Sequence, residues 1–421
     1  MTRDLRRFWS AIGISAAGSS LSAIAIPMVA LFELRTSGLQ MGLLTSIEQW
    51  AWIALGLLAG TWVDRLPKLG VLVAVDVIRA LLFGMLALSV VMHAVSMPIL
   101  LIVGLAVGVC NVFEIISHGA VGPLLVNSDE LVRVNSRVNA IDSVSRLAGS
   151  SVAGPVVSTL GATIALIADC VSFIVSALLI RTMSPLHEQR EPSPRGSAGV
   201  IHEMRDGLAL VLREPLYRVL LLSSTAYNAC VAAQFVLVLL FLKSLNTPHW
   251  LYGILLSAGG IGALIGSAAV PRLTRQWGEL ATWRFFLVIG PAVGIAVPLA
   301  FSGAGLTLFV AGMVVLSASV MITSIISFTI RQSACPPNML GRMSAITRMI
   351  TWGVIPVGAI VGGLLAEKFD IRTALFIVAA AFFLEPIIIR MSSVWRMREL
   401  SRPKADIDDL EGRDPGAGKV A

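Results

Sequence analysis

Charge is scarce in this sequence. Only 14% of its 421 residues are Asp, Glu, Lys or Arg, where a soluble chain carries roughly a quarter. The deficit runs along the whole chain, which excludes an ordinary solvated surface. Cysteine is scarcer still. Cys110, Cys170, Cys230 and Cys335 lie far apart, with no Cys-x-x-Cys and no ligand spacing. They read as small core or lipid-facing side chains, and neither a disulfide framework nor a metal site is expected. The few histidines do not converge with Asp, and no Ser/Lys pair or metal motif stands out, which disfavours a membrane enzyme. No Gly-x-x-x-x-Gly-Lys-Ser/Thr loop is present, so ATP-driven transport by this chain is disfavoured too. A net charge of +7 raises the question of nucleic acid, yet there is no basic groove interleaved with aromatics and no zinc-finger or helix-turn-helix signature.

Apolar residues make up 56% of the chain, gathered into repeated runs. Each is long enough to cross a hydrocarbon core of about 30 Å. Spans are expected near 8–32, 40–63, 71–92, 97–120, 137–159, 162–181, 216–241, 250–271, 283–301, 305–329, 343–366 and 371–392. An even number puts both termini on one side. With that side cytoplasmic, Arg35, Lys243, Lys368 and Arg372 are the only basic residues near outer ends, and the rest of the 32 lie inside. The first run is too long for a signal-peptide core and has no convincing cleavage site. It reads as a retained span with a basic foot and Trp9 at the interface. The expectation is an all-α, twelve-span protein of the cell inner membrane in contact with lipid, with a small-molecule substrate and no further partner than itself as a monomer.

The polar stretch around 182–215 divides the chain into six plus six. Its Pro185, Pro192 and Pro194 give way to Val200, Ile201, Met204, Leu208, Val211 and Leu212 at helical spacing. That pattern predicts an amphipathic cytoplasmic helix against the bilayer or the base of the protein, a helix docked on other loops being the alternative. The divisions are thus a first bundle at 1–181, a linker at 182–215, a second bundle at 216–392 and a charged cytoplasmic tail at 393–421. Each bundle has an Arg-containing inner loop between its second and third spans, the trace of two related halves around a central path.

The segment from Gly60 through Asp64, Arg65, Pro67 and Lys68 to Leu72 resembles the signature loop between spans 2 and 3 of the major facilitator superfamily. The resemblance implies a conformational latch, weakened in charge by Pro67 where Gly is usual and Leu69 where a basic residue is usual. Further segments resemble the efflux proteins of the superfamily that include macrolide and enterobactin exporters: Asp76-Val-Ile-Arg79, Asn135 to Asp142, the helix near Glu203 to Leu212, Arg331-Gln332, Pro336-Pro337, Leu340-Gly341-Arg342, and Pro356-Val-Gly358 with Gly362-Gly363. Gly149, Gly154 and Pro155 resemble the Gly-rich, Pro-containing segment of span 5 associated with exporters, although Val156-Val157-Ser158 is poorer in Gly than the usual continuation. On this resemblance, Gly60, Asp64, Arg65, Lys68, Asp76, Arg79, Asp142, Gly149, Gly154, Pro155, Arg342, Pro356 and Gly358 are gate and seam residues.

Ionisable groups inside a membrane are functional hypotheses by default. Glu48 and Asp169 fall inside spans 2 and 6. Glu114 and His118 share a face of span 4, where a proton or cationic ligand could exchange or a closed hydrogen bond could form. Asp142 with Arg146 and Asp76 with Arg79 have the spacing of internal ion pairs, and Arg146 is deep enough to contact substrate instead. Asn111, Asn228 and Gln234 can orient a ligand without fixing its charge. Glu367 and Lys368 read as solvated rim groups, and Glu385, before Pro386, as a helix-kink feature. The function expected is proton-coupled efflux of an amphipathic or cationic solute, with no cofactor beyond the proton. An importer, a lipid or siderophore exporter and a non-transporting binding protein are the alternatives.

Overall fold

The computed structural model describes residues 3–125, 145, 156–157, 159–184, 211–334 and 340–396. Among them the regular structure is helical: α1 Arg3–Phe32, α2 Gly38–Arg65, α3 Lys68–Val91, α4 Met97–Leu125, α5 Ala162–Arg181, α6 Pro215–Ser244, α7 His249–Trp277, α8 Glu279–Gly294, α9 Ala296–Leu299, α10 Leu306–Ala334, α11 Leu340–Gly353, α12 Ile355–Lys368, α13 Ile371–Ala381 and α14 Leu384–Arg390. Ten described stretches are long and apolar enough to cross a membrane. The chain is a polytopic, all-α membrane protein. Apolar side chains such as Leu81, Met85 and Ile102 are 59–67% exposed in consequence, because lipid supplies their contacts.

Prolines set the breaks. Pro298, Pro356 and Pro386 cannot donate to the carbonyls four residues earlier, at Gly294, Trp352 and Phe382, and their rings crowd those carbonyls. The helices duly end at Gly294, Gly353 and Ala381. Spans 283–301, 343–366 and 371–392 are therefore each two helices rather than one. Pro27, Pro271 and Pro291 are accommodated inside α1, α7 and α8.

Helices α1 and α3 pack on α5, and α3 and α2 on α4. Helix α10 packs on α7 and α8, and α12, α13 and α14 pack on α6. Helix α2 bridges the two sets through α12. The approach is backbone to backbone: a Cβ added at Gly38 would lie 2.9 Å from Ala366 Cβ, and one at Gly42 would meet the Ala359 carbonyl. The apolar core is continuous across both sets at this end, running from Ile24–Leu31 and Met41 to Val236–Leu242, Ala359 and Ala374. At the opposite end the described residues form separate clusters, one around Phe8, Leu72 and Ile180 and others around Trp283, Ile326 and Ile389 and around Val211, Tyr217 and Met343. Trp9, expected at the membrane interface, is 8% exposed and belongs to the first of these clusters, because the foot of α1 is held against α5 by Arg7 Nη1 donating to the Thr182 carbonyl at 2.5 Å.

Most of span 137–159 and most of the linker helix lie outside the described residues. Residues 211–213, at its expected end, are helical, and Val211 is buried against Met343 and Ile346 of α11.

Candidate functional site

One guanidinium organises the polar interior of the first set of helices. Arg79 on α3 is 1% exposed. Its Nη2 pairs with Glu114 Oε2 on α4 at 2.6 Å and donates to Asn111 Oδ1. Asn111 Nδ2 in turn donates to Glu48 Oε2 on α2 at 3.4 Å. Gly108 makes this reach possible. Its missing side chain lets α4 lie against α2 so closely that a Cβ would sit 2.7 Å from Glu48 Cα. The Phe173 ring of α5 lies 5.1 Å from the Arg79 guanidinium, a desolvated cation–π contact that closes the other side.

Two more carboxyls complete the cluster. Asp169 is fully buried, with Ser172 Oγ donating to its Oδ1 at 3.1 Å. Asp76 is 3% exposed and faces Ser176. The second oxygens of both aspartates are buried without a hydrogen-bond partner among the described residues. Arg79 forms its ion pair with Glu114, not with Asp76 as the i,i+3 spacing implied, because the long guanidinium stem crosses to α4 while the short Asp76 side chain is left facing α5. Among the described residues, four carboxyls thus surround one cation. A single Arg compensates one buried carboxylate well, and each further unpaired charge in this medium carries a desolvation penalty of several kcal/mol. The arrangement is therefore suited to holding and releasing protons.

The second set of helices encloses a cavity of about 330 Å³, at the lower end of the range for small-molecule sites (roughly 300–1,000 Å³). Tyr227 and Asn228 of α6, Arg331 of α10, Arg348 and Trp352 of α11 and Glu385 of α14 line it, with hydroxyls from Ser224, Thr323, Thr347 and Thr351. The proline breaks position two of these, since Trp352 lies in the last turn of α11, four residues before Pro356, and Glu385 directly precedes Pro386. Trp352 meets Trp52 of α2 edge to face at 6.1 Å, so the cavity abuts the first set of helices. Arg348 lies over the Trp352 ring at 5.1 Å, and Arg331 Nε donates to the Ser327 carbonyl at 3.3 Å.

Glu48, Asn111, Glu114, Asp76, Arg79 and Asp169, singled out from the sequence, thus come together, and Asn228 lines the cavity. Gln234 does not: its amide meets Met313 Sδ at 3.9 Å between α6 and α10. Six residues on from Asn228, it is turned some 240° around the helix. His118 packs edge-on to Phe8 at 5.5 Å. Lys68 opens α3. Pro356 opens α12, and Gly358 seats that helix on the Ala229 backbone of α6. Asp142, Arg146, Gly149, Gly154 and Pro155 lie outside the described residues, as do the side chains of Asp64, Arg65 and Arg342 and the surroundings of Gly60. Glu385, Arg331 and Arg348 were missed as site residues. A carboxylate within a span was the available signal for Glu385, and its reading as a kink feature captured only the proline beside it.

Residues 8–356 match the family model described as Major Facilitator Superfamily. The chain belongs to that superfamily. It is accordingly a secondary transporter that moves a small solute across a membrane, and not an enzyme. YfiS, an uncharacterized MFS-type transporter of Bacillus subtilis (strain 168), is 24% identical over 375 residues, covering 86% of this chain and 87% of its own. Among solved structures, this transporter is similar to a bacterial homologue of the iron transporter ferroportin. The likeness has a TM-score of 0.73 in the inward-facing state, at 18% identity over 92% of this chain and 98% of that one, and 0.60 in the outward-facing state over 92% and 99%. The nucleoside transporter NupG gives 0.70 at 16% identity, over 93% and 99%. These likenesses speak to the fold.

Proposed function

We propose that this transporter is a proton-coupled exporter of a small amphipathic solute, of the drug-efflux kind that includes macrolide and enterobactin exporters. In this reading twelve spans form two six-helix halves, 1–181 and 216–392, that rock about a central path. The linker at 182–215, the tail at 393–421 and both termini are cytoplasmic, and the protein works as a monomer in the inner membrane. The observation that carries the proton is the cluster of Glu48, Asp76, Glu114 and Asp169 around the Arg79 guanidinium. Protonation of this cluster relieves unpaired charge. Release toward the opposite side restores it, and helix packing at α2, α3 and α4 is strained or relaxed accordingly.

The core supports an inward-open state. Among the described residues it is continuous where α2 meets α12 and divided at the other end, and the higher TM-score belongs to the inward-facing relative. Solute would enter the cavity beside Trp352 from the cytoplasm, and separation of α2 from α12 would open it outward.

The test is flux of amphipathic solutes in proteoliposomes under an imposed pH gradient. Glu48→Gln, Glu114→Gln and Asp169→Asn should each lower gradient-driven flux by about tenfold or more, a typical coupling free energy, while leaving the protein folded. Unchanged flux in all three removes the coupling role. Flux running with the protons instead of against them makes the protein an importer.

A further inference from the structure

We infer that the solute is amphoteric, with a cationic nitrogen held by Glu385 and an acidic group held by Arg331 and Arg348. This rests on the reading of the cavity beside Trp352 as part of the solute path, and it narrows the solute from amphipathic in general to one bearing both charges.

The Glu385 carboxylate lines the cavity, and among the described residues it has no hydrogen bond or ion pair. The two guanidiniums share the same cavity but lie beyond the 4.0 Å reach of a salt bridge to it. Opposite charges set in one small space without pairing leave both ends open to a ligand, because each unpaired charge in a low-dielectric wall is stabilised most by a bound counter-charge. Arg348 has its face on Trp352, and Arg331 commits Nε to Ser327. Both arrangements fix a guanidinium while leaving further donors for an acidic group. Between the charged ends, Tyr227 and Trp352 supply aromatic surface, and Asn228 and the hydroxyls supply neutral contacts. A purely cationic solute would place its charge beside two guanidiniums, and a purely anionic one would face Glu385. Only a solute carrying both charges is complementary throughout.

The test uses the full chain in nanodiscs, with three ring compounds of similar size read by tryptophan fluorescence: benzylamine, phenylacetate and para-(aminomethyl)phenylacetate, which carries both charges. The wild type should bind the doubly charged probe more tightly than either other by about tenfold or more, as expected for one added charge-assisted contact. Glu385→Gln should bring its affinity down to that of phenylacetate, leaving phenylacetate itself no weaker. Arg331→Gln should bring it down to that of benzylamine, and Arg331→Lys should restore part of the difference.

No preference for the doubly charged probe, whether all three bind equally or none binds, overturns the inference. So does a Glu385→Gln protein that keeps all three affinities and loses only the pH dependence of binding, which would make Glu385 a proton carrier. If a variant fails to fold, the order of the three probes on the wild type still decides. The expected binding order without gradient-driven flux would uphold the solute class and remove the coupled-exporter reading. Coupled flux of a singly charged solute would do the reverse.

Discussion

Glu367 Oε1, at the end of α12, accepts a hydrogen bond from the backbone N–H of Leu39 at 3.1 Å, across 328 residues of chain. The carboxylate sits on the first turn of α2, where unpaired N–H groups and the helix dipole favour an anion, and Ser37, the N-cap of α2, hydrogen-bonds it as well. Nearby, Lys243 Nζ donates to the Leu31 carbonyl at 2.7 Å. A rim group by sequence is thus a clasp between the two sets of helices.

Removing the clasp with Glu367→Ala should shift the population toward separation of α2 from α12. Spin labels at Arg35 and Asn246 would report it as a longer, broader distance distribution than in the wild type. An unchanged distribution would show that the apolar seam alone holds this end shut.

The seam makes its own prediction. Gly42→Val drives a branched side chain into the Ala359 backbone, and overpacking of this kind costs about 1–3 kcal/mol. Thermal unfolding in detergent should fall accordingly. Gly119→Val, where an added Cβ meets nothing within 4 Å, should differ little from the wild type.

Arg79→Gln removes the cation from a cluster of carboxyls while Glu114 stays behind. Breaking a buried pair by removing one partner costs about 3–5 kcal/mol, and the melting temperature should drop steeply. The double variant Arg79→Gln with Glu114→Gln should regain much of that loss, giving a clear interaction energy in a double-mutant cycle. Additive losses would mean that the 2.6 Å pair contributes no coupling.

Outside the membrane, Asp370 caps α13, with Oδ2 accepting from the Thr373 N–H at 3.0 Å. Hydrogen bonds from Thr373 hold its carboxyl below the usual range. A carboxyl depressed in the folded state contributes stability that is full above its unfolded pKa of about 3.9 and is lost as pH falls through the folded value. Asp370→Ala should therefore lower the melting temperature at neutral pH, with the difference from the wild type closing only in acid below pH ~4. A constant difference down to pH 2 would contradict the capping role.

The helices themselves were plain in the sequence, because a membrane demands long apolar runs and the runs announce themselves. Their interruptions were less so. Pro298, Pro356 and Pro386 split helices while Pro27, Pro271 and Pro291 did not, a difference the local sequence does not announce. Buried charge could be noticed residue by residue, but its pairing could not. The local spacing joined Arg79 to Asp76, whereas contact between α3 and α4 joined it to Glu114. Asn228 and Gln234 looked equivalent until the helix phase turned one into the cavity and the other onto Met313. Glu385 was visible as a charge in a span. Its significance lies in Arg331 and Arg348, which reach the same space from other helices.

Proton coupling is most directly tested by solute flux in proteoliposomes with a pH-sensitive dye trapped in the lumen, so that both movements are read together. Each imposed pH gradient is expected to drive solute in the direction opposite to the protons, solute added alone to move protons the other way, and Glu114→Gln to uncouple the two. Solute movement indifferent to the gradient, with no change in luminal pH, would contradict it.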